Sequence, residues 1–196
     1  MKKISTLFKK DPTNLGRVID EINPGNEWCT IGGAIPTRKY DGTACAIING
    51  QLYKRYDVRL QSGDNIPKKR IPDRAISCGP PDTINGHWPH WIPCGRNNPE
   101  DKWHFEAFDD KTRHNRSDGT YELCGPKING NREQLPKHKM IRHGADLIPC
   151  TDNSFESLKK LLGNDDLDIE GIVFYSMDGK MCKIRKKDFG IKRILK

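Results

Sequence analysis

Apolar runs on either side of Asn49-Gly50 make Ala44 to Tyr56 read as strand, turn, strand, because this dipeptide favours a two-residue hairpin. A second hairpin is predicted from Glu170–Met177 and Lys180–Lys186 about Asp178-Gly179. Two further strands are expected at Trp103–Phe108 and Thr120–Cys124. Ser154–Leu162 is the clearest helix: Ser154 caps it, Phe155, Leu158, Leu161 and Leu162 form one stripe, and Gly163 ends it. Residues 1–30 read as an exposed or weakly helical entry segment. Residues 61–100, rich in Pro, Gly, Asp and Asn, read as a long ordered excursion or a flap. Strands joined by hairpins favour an antiparallel α+β architecture.

Side chains alternate across a sheet, so each hairpin assigns faces. A two-residue turn at Asp178-Gly179 sets Ile172 against Arg185 and Phe174 against Lys183. Glu170, Ile172, Phe174, Lys183 and Arg185 then share one face, and Val173, Tyr175, Cys182 and Ile184 form the apolar side. The charged face is either an ordinary solvated surface or a functional cluster. In the first hairpin, Cys45 is expected opposite Lys54 and Ala44 opposite Arg55.

Composition narrows the class. Hydrophobic residues are 34% of 196, with 18 Gly and 13 Pro, which suits a loop-rich, sheet-containing domain better than a helical bundle. Lys and Arg exceed Asp and Glu by 34 to 26, a charge of +8 that draws polyanions over a Debye length of about 8 Å. No run approaches the roughly 20 apolar residues of a membrane span, and no leader is visible. Seven scattered cysteines suggest reduced thiols and an intracellular (cytoplasmic or nuclear) protein rather than a disulfide framework.

Lys39-Tyr40-Asp41-Gly42 fits the Lys-x-Asp-Gly signature of the covalent nucleotidyltransferases, a superfamily of DNA ligases, RNA ligases and capping enzymes. In the expected order follow Lys54-Arg55, Tyr121-Glu122-Leu123-Cys124-Gly125, Glu170-Gly171-Ile172-Val173-Phe174 and Lys183-Ile184-Arg185. These resemble the family's basic motif after the nucleophile, its ribose-contacting Glu, its metal-holding Glu and its α-phosphate-gripping Lys-x-Lys. Arg185 departs from the usual second Lys. Gly86-His87-Trp88-Pro89, Trp103–Phe108, Asp118–Pro126 and Lys127–Asn131 are similar to the small RNA ligase 1-like family of animals and viruses.

The resemblance implies a single adenylyltransferase domain over residues 1–196, with antiparallel sheets flanked by helices around an ATP cleft. Only nine residues follow Lys187, so no C-terminal oligonucleotide-binding domain is expected. It implies a monomer that joins 5′-phosphate and 3′-hydroxyl RNA ends using ATP and Mg²⁺ or Mn²⁺. Lys39 would carry AMP. Asp41, Gly42, Lys54, Arg55, Glu122, Glu170, Lys183 and Arg185 would bind nucleotide, and Glu170 would hold the metal. Lys54, Arg55, His87 and Trp88 would meet nucleic acid. A free lysine, with a pKa of ~10.4, needs burial or neighbouring cations to become a nucleophile.

Other features stay open. The adenine-stacking ring could be Tyr121, Phe105 or Phe174. Cys78, His87, His90 and Cys94 could hold zinc, but their spacing and the intervening Trp88 and Trp91 favour an aromatic loop. Lys137-His138-Lys139 and Arg142-His143 make a second basic patch. A minimal DNA ligase and a non-catalytic RNA-binding module are the competing readings.

Overall fold

A computed structural model describes residues 3–61, 66–83, 85–110 and 117–194. Its strands are β1 (Ser5–Thr6), β2 (Phe8–Asp11), β3 (Asn14–Ile22), β4 (Ile35–Lys39), β5 (Thr43–Ile48), β6 (Gln51–Arg59), β7 (Ile76–Ser77), β8 (His87–Pro93), β9 (Gly119–Cys124), β10 (Lys139–Arg142), β11 (Gly171–Tyr175) and β12 (Met181–Arg185). Among the described residues, two short helices, α1 (Lys102–Phe108) and α2 (Phe155–Gly163), complete an α+β arrangement dominated by sheet. No described helix is long and apolar enough to cross a membrane. The chain groups into two compact units, one centred on Asp41–His143, the other on Ile4–Tyr40 with Gly144–Lys196.

The Ile4–Tyr40/Gly144–Lys196 unit holds a four-stranded sheet in the order β1-β12-β11-β4, and the β2-β3 ribbon. Residues 1–30 were expected as an exposed or helical entry, but the described part forms three strands. Leu7 and Phe8 are buried in the core with Leu158, Leu162, Ile172, Phe174, Cys182 and Ile184. Thr6 lies beside Lys183, and Leu7 N–H donates to the Lys183 carbonyl at 2.7 Å, adding a parallel strand to β12.

The helix expected at 154–162 is α2, with Leu158 and Leu162 fully buried. Ser154 occupies the N-cap position, but its hydroxyl does not bond the first turn; it donates to Asp152 Oδ2 at 2.9 Å.

The hairpin of β11 and β12 is real, but its register differs by one residue from the expected one. Gly171 pairs with Arg185, Ile172 with Ile184, Val173 with Lys183 and Phe174 with Cys182. The loop holds three residues, not two: Ser176 N–H donates to the Lys180 carbonyl at 3.0 Å, and Gly179 takes φ 82°. A three-residue loop ending in a left-handed glycine is the next commonest hairpin. A slip of one residue turns every side chain over. Ile172 and Phe174 therefore face the core with Cys182 and Ile184, while Val173, Tyr175, Lys183 and Arg185 share the other face.

Asp188, fully buried after β12, accepts from Arg185 Nε and Nη2 at 2.9 and 2.8 Å and from Lys10 Nζ at 2.6 Å. Burial alone would raise its pKa, but the bonds from Arg185 and Lys10 outweigh burial and hold it below the ordinary 3.8. Its contribution to stability is therefore complete above about pH 4 and is lost as pH falls through the depressed folded value. Asp188→Ala leaves two cations without their shared carboxylate, an expected loss of about 3–5 kcal/mol measured by urea unfolding at pH 7. Most of the difference from wild type should fade under acid.

The Asp41–His143 unit is a six-stranded sheet ordered β10-β9-β5-β6-β8-β7. Here the register is as expected, with Cys45 opposite Lys54 and both Asn49 and Gly50 at positive φ (50° and 72°). Part of the anticipated flap is a regular strand, since β8 pairs with β6 from Tyr53/Pro93 to Arg59/His87. Trp103–Phe108, expected as a strand, is helix α1. Pro99 opens a 3-10 turn whose preceding Asn98 side chain accepts from Glu100 N–H at 3.1 Å, and this turn runs into the helix. Trp103, Phe105 and Phe108 pack from α1 against Cys45, Leu52, Tyr121 and Leu123.

Candidate active site

Across the four-stranded sheet, Lys39 of β4 and Arg185 of β12 both pair with Gly171 of β11. Thr37, Val173 and Lys183 form the next row, so Lys39, Lys183 and Arg185 project from one face. Gly171 is required between the cations for a steric reason. A Cβ there would lie 2.2 Å from the Ile184 carbonyl oxygen and 2.7 Å from Arg185 Cα. Thr37, buried in the same face, donates its hydroxyl to the Val173 carbonyl at 2.9 Å and ties β4 to β11.

Lys39 Nζ forms an ion pair with Glu170 Oε2 and donates to the Tyr40 carbonyl at 3.2 Å. Both side chains are mostly buried but reachable, at 21% and 17% exposure. Arg185 is committed on its other side to Asp188; burial opposes its charge, and that carboxylate more than compensates, raising its pKa.

In the other unit, the Asp41-Gly42 step leads into β5. Gly42 N–H donates to Glu122 Oε1 at 3.1 Å, and Glu122 Oε2 meets His143 Nε2 at 2.9 Å. Asp41 N–H donates to Glu133 at 2.9 Å, its carboxylate accepts from Asn129 Nδ2 at 3.2 Å, and Arg132 lies 3.6 Å away. A Cβ on Gly42 would sit 2.3 Å from the Leu123 carbonyl oxygen, so only glycine lets this loop lie on β9. Gly42→Ala should cost about 2–3 kcal/mol of stability by overpacking, read as a lower urea midpoint with an unchanged slope.

Lys54 and Arg55 part company on β6. Arg55 opposes Trp91 and stands 5.5 Å from its ring. By strand parity it shares a face with Ala44 and Glu122. Lys54 points to the side covered by α1, 2.6 Å from buried Asp101 and 3.3 Å from Glu100. Burial disfavours its charge, but these carboxylates raise its pKa overall.

His87 and Trp88 start β8. His87 contacts Lys3, and burial, then the charges of Lys3 and Arg59, lower its pKa. The Trp88 indole donates to Ser77 Oγ at 2.9 Å and to the Gly79 carbonyl at 3.0 Å, anchoring its own loop. Cys78, His87, His90 and Cys94 do not converge as ligands among the described residues. Of the candidate stacking rings, Phe174 and Tyr121 are core residues, and Phe105 lies under Arg96.

Sequence reasoning missed Asn129, Glu133 and His143 as partners of this loop. Arg142-His143 carried only a charge signal, and Lys127–Asn131 stood out without an assigned role.

No family model matches the chain. It is 28% identical to RNA ligase 1 of Pongo abelii, over 82% of this chain and 69% of that protein. It is 26% identical to RNA ligase 1 of Rattus norvegicus (81% of this chain, 68% of that protein) and of Mus musculus (81% and 67%). These relatives support an RNA ligase family assignment at modest identity.

Proposed function

We propose that the chain is an ATP-dependent RNA ligase that joins 5′-phosphate and 3′-hydroxyl ends through a lysyl-AMP on Lys39. The observation that carries this reading is the ion pair of Lys39 with Glu170, with Arg185 in the same row of the Lys39 sheet face and Lys183 in the next. The similarity to proteins named RNA ligase 1 supports RNA as the substrate.

In the first step, deprotonated Lys39 Nζ attacks the α-phosphorus of ATP. An N–P bond forms, the P–O bond to the bridging oxygen breaks, and pyrophosphate carries away the electron pair. Before attack, Nζ must leave its ion pair with Glu170 and give up a proton, and Lys183 and Arg185 would offset negative charge on the phosphoryl oxygens. In the second step, an RNA 5′-phosphate oxygen displaces Lys39, regenerating the amine. In the third, a 3′-hydroxyl displaces AMP and closes the phosphodiester. In-line positioning and charge stabilisation supply most of such catalysis.

The donor set at Glu170 fits a divalent ion: a partly exposed carboxylate already holding a cation, the Lys39 ammonium. Mg²⁺ or Mn²⁺ there would stabilise charge on the phosphates. Glu122 and Gly42 are assigned to the nucleotide, with Glu122 as a hydrogen-bond acceptor oriented by His143. Arg55, rather than Lys54, is the cation of that pair available on the Glu122 face.

The test is end joining by the purified chain with ATP and Mg²⁺, using 5′-phosphorylated RNA or DNA strands in free and nicked-duplex form. RNA joining that needs both the 5′-phosphate and ATP supports the proposal. Efficient joining of DNA in preference to RNA would make the chain a minimal DNA ligase. Binding of RNA with no joining of either would make it a non-catalytic module.

A further inference from the structure

Beneath α1, three buried side chains converge. Cys94, Asp101 and His104 place one thiol sulfur, one carboxylate oxygen and one ring nitrogen within 4.8 Å of one another. Cys94 is 9% exposed, Asp101 1% and His104 7%. We infer that these residues form a structural zinc site.

The local fold builds the cluster. Cys94 follows β8, its N–H held by the Leu52 carbonyl at 2.9 Å. Asp101 precedes α1 and His104 lies in its first turn, so a spacing of three puts them on one side of the helix. Gly95 N–H and Asn98 Nδ2 donate to Asp101 Oδ2 at 2.9 and 3.2 Å, orienting the carboxylate as outer-shell groups orient metal ligands.

The second, independent observation is His104 itself. Neither Nδ1 nor Nε2 has a hydrogen-bond partner, although the ring is buried. A buried imidazole ordinarily satisfies at least one nitrogen, and a bound metal would do so here. Lys54 is the competing cation, 2.6 Å from Asp101 Oδ1. It neutralises Asp101 but leaves His104 unsatisfied. Glu100, 3.3 Å from the same ammonium, can keep Lys54 if a metal takes Asp101.

Thiolate, imidazole and carboxylate together suit zinc, whereas Mg²⁺ and Ca²⁺ avoid sulfur. Tetrahedral zinc brings its ligand atoms to roughly 3.5 Å apart, so the three side chains would draw together on binding. Binding replaces the Cys94 S–H proton, released to solvent, with a sulfur–zinc bond, and water can fill the fourth position. The site would pin α1 to the end of β8 and stands whether or not the ligase assignment holds.

The experiment uses the full chain, stripped with chelator and titrated with Co²⁺ and then Zn²⁺. Wild type should bind one equivalent, with a near-ultraviolet thiolate-to-cobalt band that Zn²⁺ abolishes. Cys94→Ser should remove the band, and His104→Gln should weaken binding at least tenfold. X-ray absorption on the wild-type zinc protein, independent of how the variants fold, should show one sulfur among nitrogen and oxygen scatterers. No thiolate band in wild type, a band that survives Cys94→Ser, or a shell without a single sulfur would overturn the site and leave Lys54 as the resident cation.

Discussion

Lys39→Ala and Lys39→Arg should both lose ATP-dependent joining of 5′-phosphorylated RNA by at least about 10⁴-fold, a loss expected when a covalent nucleophile is removed. Neither should lose sealing of RNA already carrying a 5′-adenylate to the same degree, because that step breaks a bond in which Lys39 takes no part. The two variants separate two effects. Alanine removes both the amine and the charge that Glu170 holds, whereas arginine keeps a cation opposite Glu170 but offers no neutral amine. A merely electrostatic role for Lys39 would let arginine retain substantial activity. Joining assays with the two substrates, run side by side, check the contrast.

Gly171→Ala should be the most destabilising single methyl on the four-stranded sheet. The added Cβ would stand 2.2 Å from a backbone oxygen of β12, which cannot swing aside as a side-chain tip can. The expected cost is about 3 kcal/mol or more, the upper end for overpacking. For a chain of this size that corresponds to a Tm lower by roughly 6–12 °C. Gly179→Ala is the control. Its Cβ would meet nothing within 4 Å, and only the left-handed φ of 82° is strained, a cost of about 1–2 kcal/mol. Thermal unfolding of the two variants ranks packing against backbone strain. Because Gly171 also separates Lys39 from Arg185, any folded Gly171→Ala protein should be a poor ligase.

The order of these effects reflects what a sequence can disclose. Asn49-Gly50 revealed its register because a two-residue turn with both residues at positive φ leaves one pairing. Asp178-Gly179 did not, since an Asp-Gly pair serves equally in a three-residue loop, and the resulting slip put Ile172 and Phe174 in the core instead of beside Lys183. The cationic pair Lys183 and Arg185 still shares a face, because residues two apart do so in any register.

Trp103–Phe108 carried both alternation and helical spacing, and the helix-opening Asn98-Pro99 upstream decided between them. Ser5–Ile22 lacked a strong period because its strands are edges and a ribbon whose core contribution is concentrated in Leu7, Phe8 and Val18. Lys39, Glu122, Glu170 and Lys183 were legible as motif positions. His143 and Asn129 were not, for their partners are set by pairing of distant strands and loops. Lys54 and Arg55 read as one basic motif, yet adjacent residues on a strand must face opposite sides, and only the structure gives Lys54 to Asp101.

The central claim is the covalent intermediate, and peptide mass mapping tests it most directly. Protein treated with pyrophosphate to strip bound AMP is incubated with ATP and Mg²⁺, quenched, digested and mapped. One adenylyl group on Lys39, labile in acid as a phosphoramidate and absent from Lys39→Arg, is the predicted result. An unmodified Lys39 in protein that still joins RNA, or an adenylyl group on another residue, would contradict it.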